Sequence, residues 1–239
     1  MRVLAFDTAT AATTVGLRDV EAGIELEVRE DPVPGGRPGH ARQVLDLIRE
    51  VLTVTATGWK QIDRIAVGRG PGTFTGMRIG IATAQALAQS TGVPLVGVST
   101  LAALQLAASQ SDFRSVLAVI DARRGEVFVS GADLAPCVLT PAQLGDATRR
   151  LGDGRTGFLG GRWVARPSSS GVAAVGDGAV RFRETLERAG AFVPADSSPL
   201  HKVNAIHHCR LALDAIPATG NTVEPEYLRV PDAELTARA

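Results

Sequence analysis

Apolar and polar positions along this chain follow two rhythms, and they change places at regular intervals. Residues 2–6, RVLAF, are a continuous apolar run, the pattern of a buried strand. TTVGLRD, from Thr13, reads as a second strand, and IELEVRE, from Ile24, alternates as a half-exposed third. DPVPGGRPG, residues 31–39, is turn chemistry throughout. The period then shifts: in HARQVLDLIREVL the residues Ala41, Val44, Leu45, Ile48, Val51 and Leu52 recur at threes and fours, which predicts an amphipathic helix. RIAVG predicts a buried strand, a glycine-rich turn follows, and a helix is expected from about Thr75 to Ser90. VPLVGVS is a further strand and TLAALQLAASQ a further helix. The order β-β-β-α-β-α-β-α describes a sheet led by hairpins and continued by parallel pairing through helical crossovers.

Residues 115–132, SVLAVIDARRGEVFVSGA, restart the pattern: an apolar strand runs into an aspartate, a glycine-containing turn and an alternating strand. The opening RVLAFDTATAATTVGLRD has the same layout, so the chain carries a weak internal repeat and is expected to hold two related domains. Helices are expected at PAQLGDATRRL and VRFRETLERAG, a strand and turn at VAAVGDGA, and a last helix at VNAIHHCRLALDAI. The tail after Arg229 is polar and expected to be mobile.

Composition narrows the function classes. A chain of 239 residues, 45% of them hydrophobic, can bury a core in one large or two small domains, and no apolar run approaches the roughly 20 residues of a membrane span. The opening MRVLAFDTAT reads as neither a signal nor a transit peptide. Two isolated cysteines, Cys137 and Cys209, make neither a disulfide framework nor a zinc site and suit a reducing cytoplasm. The formal net charge is zero, so the chain is not expected to hold a nucleic acid tightly alone. The arginine-rich stretch from Arg149 to Arg166 reads as a solvated face.

The glycine-rich turn GPGTFTGMRIG, Gly70 to Gly80, invites a phosphate, but it lacks the lysine and hydroxyl of a P-loop: Gly76 is followed by Met77 and Arg78. Its spacing is not that of a dinucleotide fingerprint either. Gly76, Gly80, Ala84 and Ala88 fall four apart and form a stripe almost without side chains on one helical face. Each interior glycine costs a helix about 1 kcal/mol relative to alanine, so a close backbone approach must offset it. Packing inside the chain and packing against a partner helix both satisfy that requirement. Thr73 or Thr75 is placed to cap the helix.

VLAFDTAT, GPGTFTGMRIGIATAQALA and PLVGVSTLAAL together resemble the TsaB (YeaZ-like) family, over residues 1 to about 130, and EPEYLR resembles the family's terminal motif. The resemblance implies an α/β actin-like, sugar-kinase-like (ASKHA) ATPase fold of two related domains with mixed five-stranded sheets and flanking helices. The expected division is residues 1–105, residues 106–200, and a segment 201–239 whose helix packs back on the first domain before the tail. It implies a scaffold subunit without catalysis of its own, cytoplasmic, in the complex that forms threonylcarbamoyladenosine beside the anticodon of ANN-decoding tRNAs. Its partners would be a TsaD-like catalytic subunit, a TsaE-like ATPase and, through the complex, tRNA. When the chain is isolated, the same apolar helices also permit a homodimer, and monomer and homodimer both stay open. The helices starting near His40 and Thr75 would make the partner surface, with His40, Val44, Thr73, Phe74, Met77, Arg78, Gly80, Ile81 and Ala84 in it.

In that superfamily, acidic residues and glycines in the two hairpin turns admit phosphate. Here Asp7 is followed by Thr8, Ala9 and Thr10, where side chains crowd the approach that glycine allows. Asp121 is followed by ARRG with only Gly125, and Gly176 and Asp177 stand where the family has an adenosine loop. These six residues, Asp7, Thr8, Asp121, Gly125, Gly176 and Asp177, are vestigial phosphate-site candidates, and Asp7 equally suits simple hydrogen bonding to turn amides. The catalytic relatives carry a two-histidine metal motif four apart; Thr100 and Leu104 fill those slots here, and leucine binds no metal. No metal, no catalytic residue and no intrinsic cofactor is therefore expected, with ATP and metal on the partners. His207 and His208 are adjacent and point about 100° apart on a helix, which is not a bidentate site. The alternative is a small ATPase or kinase with Asp7, Asp121 and the GDGA loop live. A peptidase has no G-x-S-x-G elbow to stand on.

Overall fold

The computed structural model describes residues 1–33, 36, 38–109, 113, 115–152, 155–159, 162–165 and 171–229. The first sheet is built from β1 (Arg2–Asp7), β2 (Thr13–Asp19), β3 (Ile24–Glu30), β4 (Arg64–Gly68) and β5 (Leu95–Val98), with α1 (His40–Val54), α2 (Phe74–Thr91) and α3 (Thr100–Ala108) between and after them. The second contains β6 (Ser115–Asp121), β7 (Val127–Gly131), β8 (Leu134–Leu139), β11 (Val172–Val175) and β12 (Ala191–Phe192), with α4 (Pro141–Gly152), α5 (Asp177–Arg181) and α6 (Arg183–Arg188). A separate hairpin, β9 (Arg155–Leu159) with β10 (Arg162–Ala165), follows α4, and α7 (Ala205–Ala212) comes last.

The strand orders are β3-β2-β1-β4-β5 and β12-β11-β6-β7-β8. Read from each sheet's own first strand, both are third-second-first-fourth-fifth, antiparallel across the hairpins and parallel across the crossovers. This is the duplicated plan expected of an actin-like fold, and the repeat of strand, aspartate, turn and strand recurs at matching places: Asp7 ends the central strand of one sheet and Asp121 the central strand of the other.

Alternation along β1 explains the layering. Leu4 and Phe6 face α1 and α2 in one core, while Val3 and Ala5 face Ile206, Cys209 and Ala212 of α7 in another. In the second sheet, Leu117 and Val119 point to α4 and α6, and Ala118 and Ile120 to Leu101 and Leu104 of α3. Helices α3 and α7 thus lie between the two sheets. Gly16 admits α7: a Cβ there would sit 3.0 Å from Ile206 and 3.1 Å from Ala205. Among the described residues no helix is long and apolar enough to cross a membrane.

Several expectations shift. The helix expected over residues 180–190 is two short ones, α5 and α6, broken at Phe182 (φ −108°, ψ 27°). The last helix is shorter than its apolar pattern, ending at Ala212. Thr73 occupies the N-cap of α2 in extended conformation, but its side chain makes no capping bond. In the arginine-rich stretch, Arg149 pairs with Asp146 at 2.5 Å. The side chains of Arg155, Arg162 and Arg166, and the tail beyond Arg229, lie outside the described residues.

Candidate functional site at the junction of the two sheets

The glycine turn is packed against the β1–β2 turn of its own chain. Thr73 donates its amide to the Ala9 carbonyl at 2.7 Å, and the Thr8 hydroxyl donates to the Gly76 carbonyl at 2.7 Å. A Cβ on Gly72 would lie 2.2 Å from the Ala9 oxygen, one on Gly76 2.0 Å from the Thr8 oxygen, and one on Gly80 2.4 Å from the Thr8 hydroxyl. Ala84 and Ala88 continue the stripe into the first core, fully buried. Of the two explanations for the bare stripe, packing within the chain is the one the molecule uses.

That corrects the expected partner surface. His40, Val44, Met77, Gly80, Ile81 and Ala84 are buried inside this chain and are unavailable to a second subunit. The reason is geometric: the stripe faces β1 and β4, so the helix can lie close to the sheet only where it carries no side chains. Of the expected set, Phe74 and Arg78 are exposed and Thr73 is half-buried. The outward faces of these helices carry other residues: Ala41 and Leu45 on α1, and Ala82 and Ala86 with the half-buried Ile79 on α2.

Asp7 sits under this assembly, buried. Its Oδ1 accepts the Ala9 amide at 2.6 Å and its Oδ2 accepts the Thr100 hydroxyl at 2.7 Å. Nε2 of His208, also buried, lies 2.9 Å from Oδ2, an ion-pair separation without good hydrogen-bond alignment, and His208 Nδ1 is 3.2 Å from the Asn204 carbonyl. Gly68 leaves room for the carboxyl, since a Cβ there would fall 1.9 Å from Oδ2. Burial pushes the Asp7 carboxyl up, but His208, the Ala9 amide and the Thr100 hydroxyl outweigh it and hold it below the usual carboxylate range. Asp7 does bond a turn amide, as the simpler reading required. The sequence did not reveal His208 as its partner, nor that Thr100, in the first of the two missing metal-ligand slots, serves this carboxylate. Leu104, in the second, is a buried core residue. Among the described residues no three His, Cys, Asp or Glu side chains converge as metal ligands would.

His40 opens α1, buried, with Nδ1 2.8 Å from the Thr13 hydroxyl. Burial holds its imidazole below the ordinary value, despite the charge of Asp7. Burial, Arg210 and His208 likewise push His207 down to about 4. A histidine whose folded pKa lies below the ordinary value of about 6.5 is protonated first in the unfolded chain, so the native state loses stability as pH falls from about 6.5. The melting temperature is therefore expected to fall between pH 7 and pH 5, and to fall less in His207→Gln; an equal fall in both proteins would exclude His207 as a source.

At the second turn, Asp121 accepts the Arg123 amide at 2.9 Å and pairs with Arg181 at 2.6 Å, and its own amide donates to Asp177 at 3.0 Å. Arg123, Arg124 and Gly125 all have positive φ, 63°, 54° and 78°. Gly176 (φ 107°) and Gly178 are accounted for by the β6 backbone: a Cβ on Gly176 would lie 2.2 Å from the Val119 oxygen and one on Gly178 2.9 Å from the Ile120 carbonyl carbon. Thr10, Ala11 and Ala12 of the first turn face Asp177 across a cavity of about 130 Å³, well below the roughly 300 Å³ at which ligand pockets begin. Of the six vestigial candidates, Asp177 lines this narrow cleft, Asp7 and Thr8 are buried beneath the start of α2, and Asp121 sits at the β6–β7 turn.

The family model described as TsaD, tRNA N6-adenosine threonylcarbamoyltransferase, matches residues 37–157. The tRNA threonylcarbamoyladenosine biosynthesis protein TsaB of Escherichia coli K12 is 44% identical over 132 residues, 54% of this chain and 53% of that protein. Its counterpart of Haemophilus influenzae is 37% identical over 131 residues, 54% and 53% of the two chains. The chain spans about half the length of the curated relatives it matches. The structure of YeaZ from Pseudomonas aeruginosa aligns with a TM-score of 0.71 at 28% identity, covering 95% of this chain and 99% of that one.

Proposed function

The chain belongs to the TsaD family of tRNA threonylcarbamoyladenosine proteins and is similar to its TsaB (YeaZ-like) members, and from that premise we propose that it is a scaffold subunit without chemistry of its own. It pairs with a TsaD-like catalytic subunit, is joined by a TsaE-like ATPase, and meets tRNA through the assembly in the cytoplasm. ATP and metal act on the partners. Residues 1–105 and 106–200 form its two domains, and the segment from 201 ties back onto the first.

The observation that carries this reading is the filled cleft. Where a phosphate would need open backbone amides, the first turn is covered by the start of α2, and Asp7 is taken up by Ala9, Thr100 and His208. The partner surface is the outer face of α1 and α2. Leu45 is 49% exposed there, and the small residues Ala82 and Ala86 let another helix approach. When the chain is isolated, a second copy can cover the same face.

The test is co-purification with a TsaD-like partner. The double variant Leu45→Glu/Ala82→Arg is expected to abolish co-elution while leaving stability within about 0.5 kcal/mol, as for exposed positions. Retention of the complex by that variant would refute the assigned face. Magnesium-dependent ATP turnover by the isolated chain would refute the non-catalytic assignment.

A further inference from the structure

A cavity of about 470 Å³ opens between the start of α2, the β6–β7 turn and residues 226–229. Two rings stand at its mouth with much of their surface in solvent: Phe74 is 44% exposed and Tyr227 40%. They are stacked at 5.7 Å, and Arg78 fixes both, with its guanidinium 3.7 Å from the Phe74 ring centre and its Nε donating to the Tyr227 hydroxyl at 2.9 Å. Rings held in this way lose little freedom when another molecule covers them. The charge that reaches solvent beside them is positive. Asp121 and Glu226 also line the cavity, but their carboxyls are largely covered, and Arg181 holds Asp121 at 2.6 Å. Arg229 is taken by Glu126 and the Ala122 carbonyl. Arg123, by contrast, is 66% exposed and only loosely paired with Asp121 at 3.5 Å, on a turn that holds its backbone in the left-handed region.

Uncovered rings call for an apolar side chain, and a guanidinium with donors to spare calls for a carboxylate. We propose that this mouth is a docking surface for another protein, whose docked segment carries a large apolar side chain next to a carboxylate. The apolar side chain covers Phe74 and Tyr227, and the carboxylate meets Arg123. The sign of the exposed charge disfavours a basic segment. A phosphate backbone needs a row of cations, whereas this lining mixes three arginines with two carboxylates in a chain of zero net charge, which favours a protein over a nucleic acid. None of the three contact residues belongs to the face assigned to the TsaD-like subunit, and the test uses the chain without that subunit, so its failure would leave the scaffold assignment standing.

Tyr227 is the only tyrosine in the chain, so 3-fluorotyrosine labelling places one ¹⁹F resonance at this surface. The full chain is titrated with three end-blocked hexapeptides: EDLFDE, its uncharged counterpart QNLFNQ, and EDAADE, which lacks the apolar pair. EDLFDE is expected to shift the resonance saturably. QNLFNQ is expected to bind about fivefold more weakly at low salt, a difference that closes as added salt screens the charges. EDAADE is expected to bind about tenfold more weakly than EDLFDE. Arg123→Asn, a residue that tolerates the left-handed conformation, is expected to erase the preference for EDLFDE over QNLFNQ. Phe74→Ala is expected to weaken EDLFDE about tenfold in protein that circular dichroism shows to be folded. Absence of a saturable shift with EDLFDE into the millimolar range, preferences that survive both substitutions in folded protein, or a shift with r(U)6 and none with the peptides would overturn the proposal. So would a resonance that moves on dilution of the protein alone, which gives the surface to a second copy. An affinity for EDLFDE that rises about tenfold on removal of residues 230–239 would overturn it too, by giving the surface to the chain's own terminus.

Discussion

Replacing Gly76 by alanine is expected to destabilise the protein by about 3 kcal/mol, read as a lower denaturant midpoint at unchanged slope. The added methyl would lie 2.0 Å from the Thr8 carbonyl oxygen, a backbone atom that cannot swing aside. Gly80→Ala should cost about 1–3 kcal/mol, because its methyl would displace the Thr8 hydroxyl from the Gly76 carbonyl. The sign is the decisive quantity. On a helix face open to solvent, alanine in place of an interior glycine would stabilise by up to about 1 kcal/mol. A gain at Gly80 would mean that the stripe is not packed on the β1–β2 turn, and with it the account of the filled cleft would fail.

Asp7→Ala is expected to cost about 3–5 kcal/mol at neutral pH. It leaves the Ala9 amide and the Thr100 hydroxyl without their acceptor and His208 without its counter-charge, all of them buried. The carboxyl's depressed pKa fixes the pH dependence. Its contribution is present above the unfolded-state value of about 3.9 and is lost as pH falls through the lower folded value. Urea titrations from pH 7 to pH 2 should therefore show the gap between wild type and variant closing at the acid end. A gap that is small at pH 7, below about 1 kcal/mol, would show that this cluster does not hold α7 against the first sheet.

How much of this was legible beforehand depended on whether the signal was local. The period of the first five strands and of α1 and α2 is written in consecutive residues, and so is the echo that places Asp7 and Asp121 at matching strand ends. β8 was not legible because Pro136 interrupts it; the proline is tolerated because β8 is the edge of its sheet. The break at Phe182 divides a run whose apolar spacing would have suited one continuous helix. The stripe on α2 was visible, but its direction was not: glycines at fours state that something comes close without stating what. The pairing of Asp7 with His208 joins the first strand to the last helix, and no spacing rule connects residues so far apart. The adjacent histidines offered only the argument that they could not share a ligand.

The short segment near the C-terminus has a mechanical role. Tyr227 stacks on Phe74 and receives Arg78, and two residues later Arg229 grips Glu126 and the Ala122 carbonyl. A rivet of this kind adds a second tie between two lobes that already pack together through α3 and α7. Tilting one lobe against the other must shear the ring stack or draw the arginine from its carboxylate.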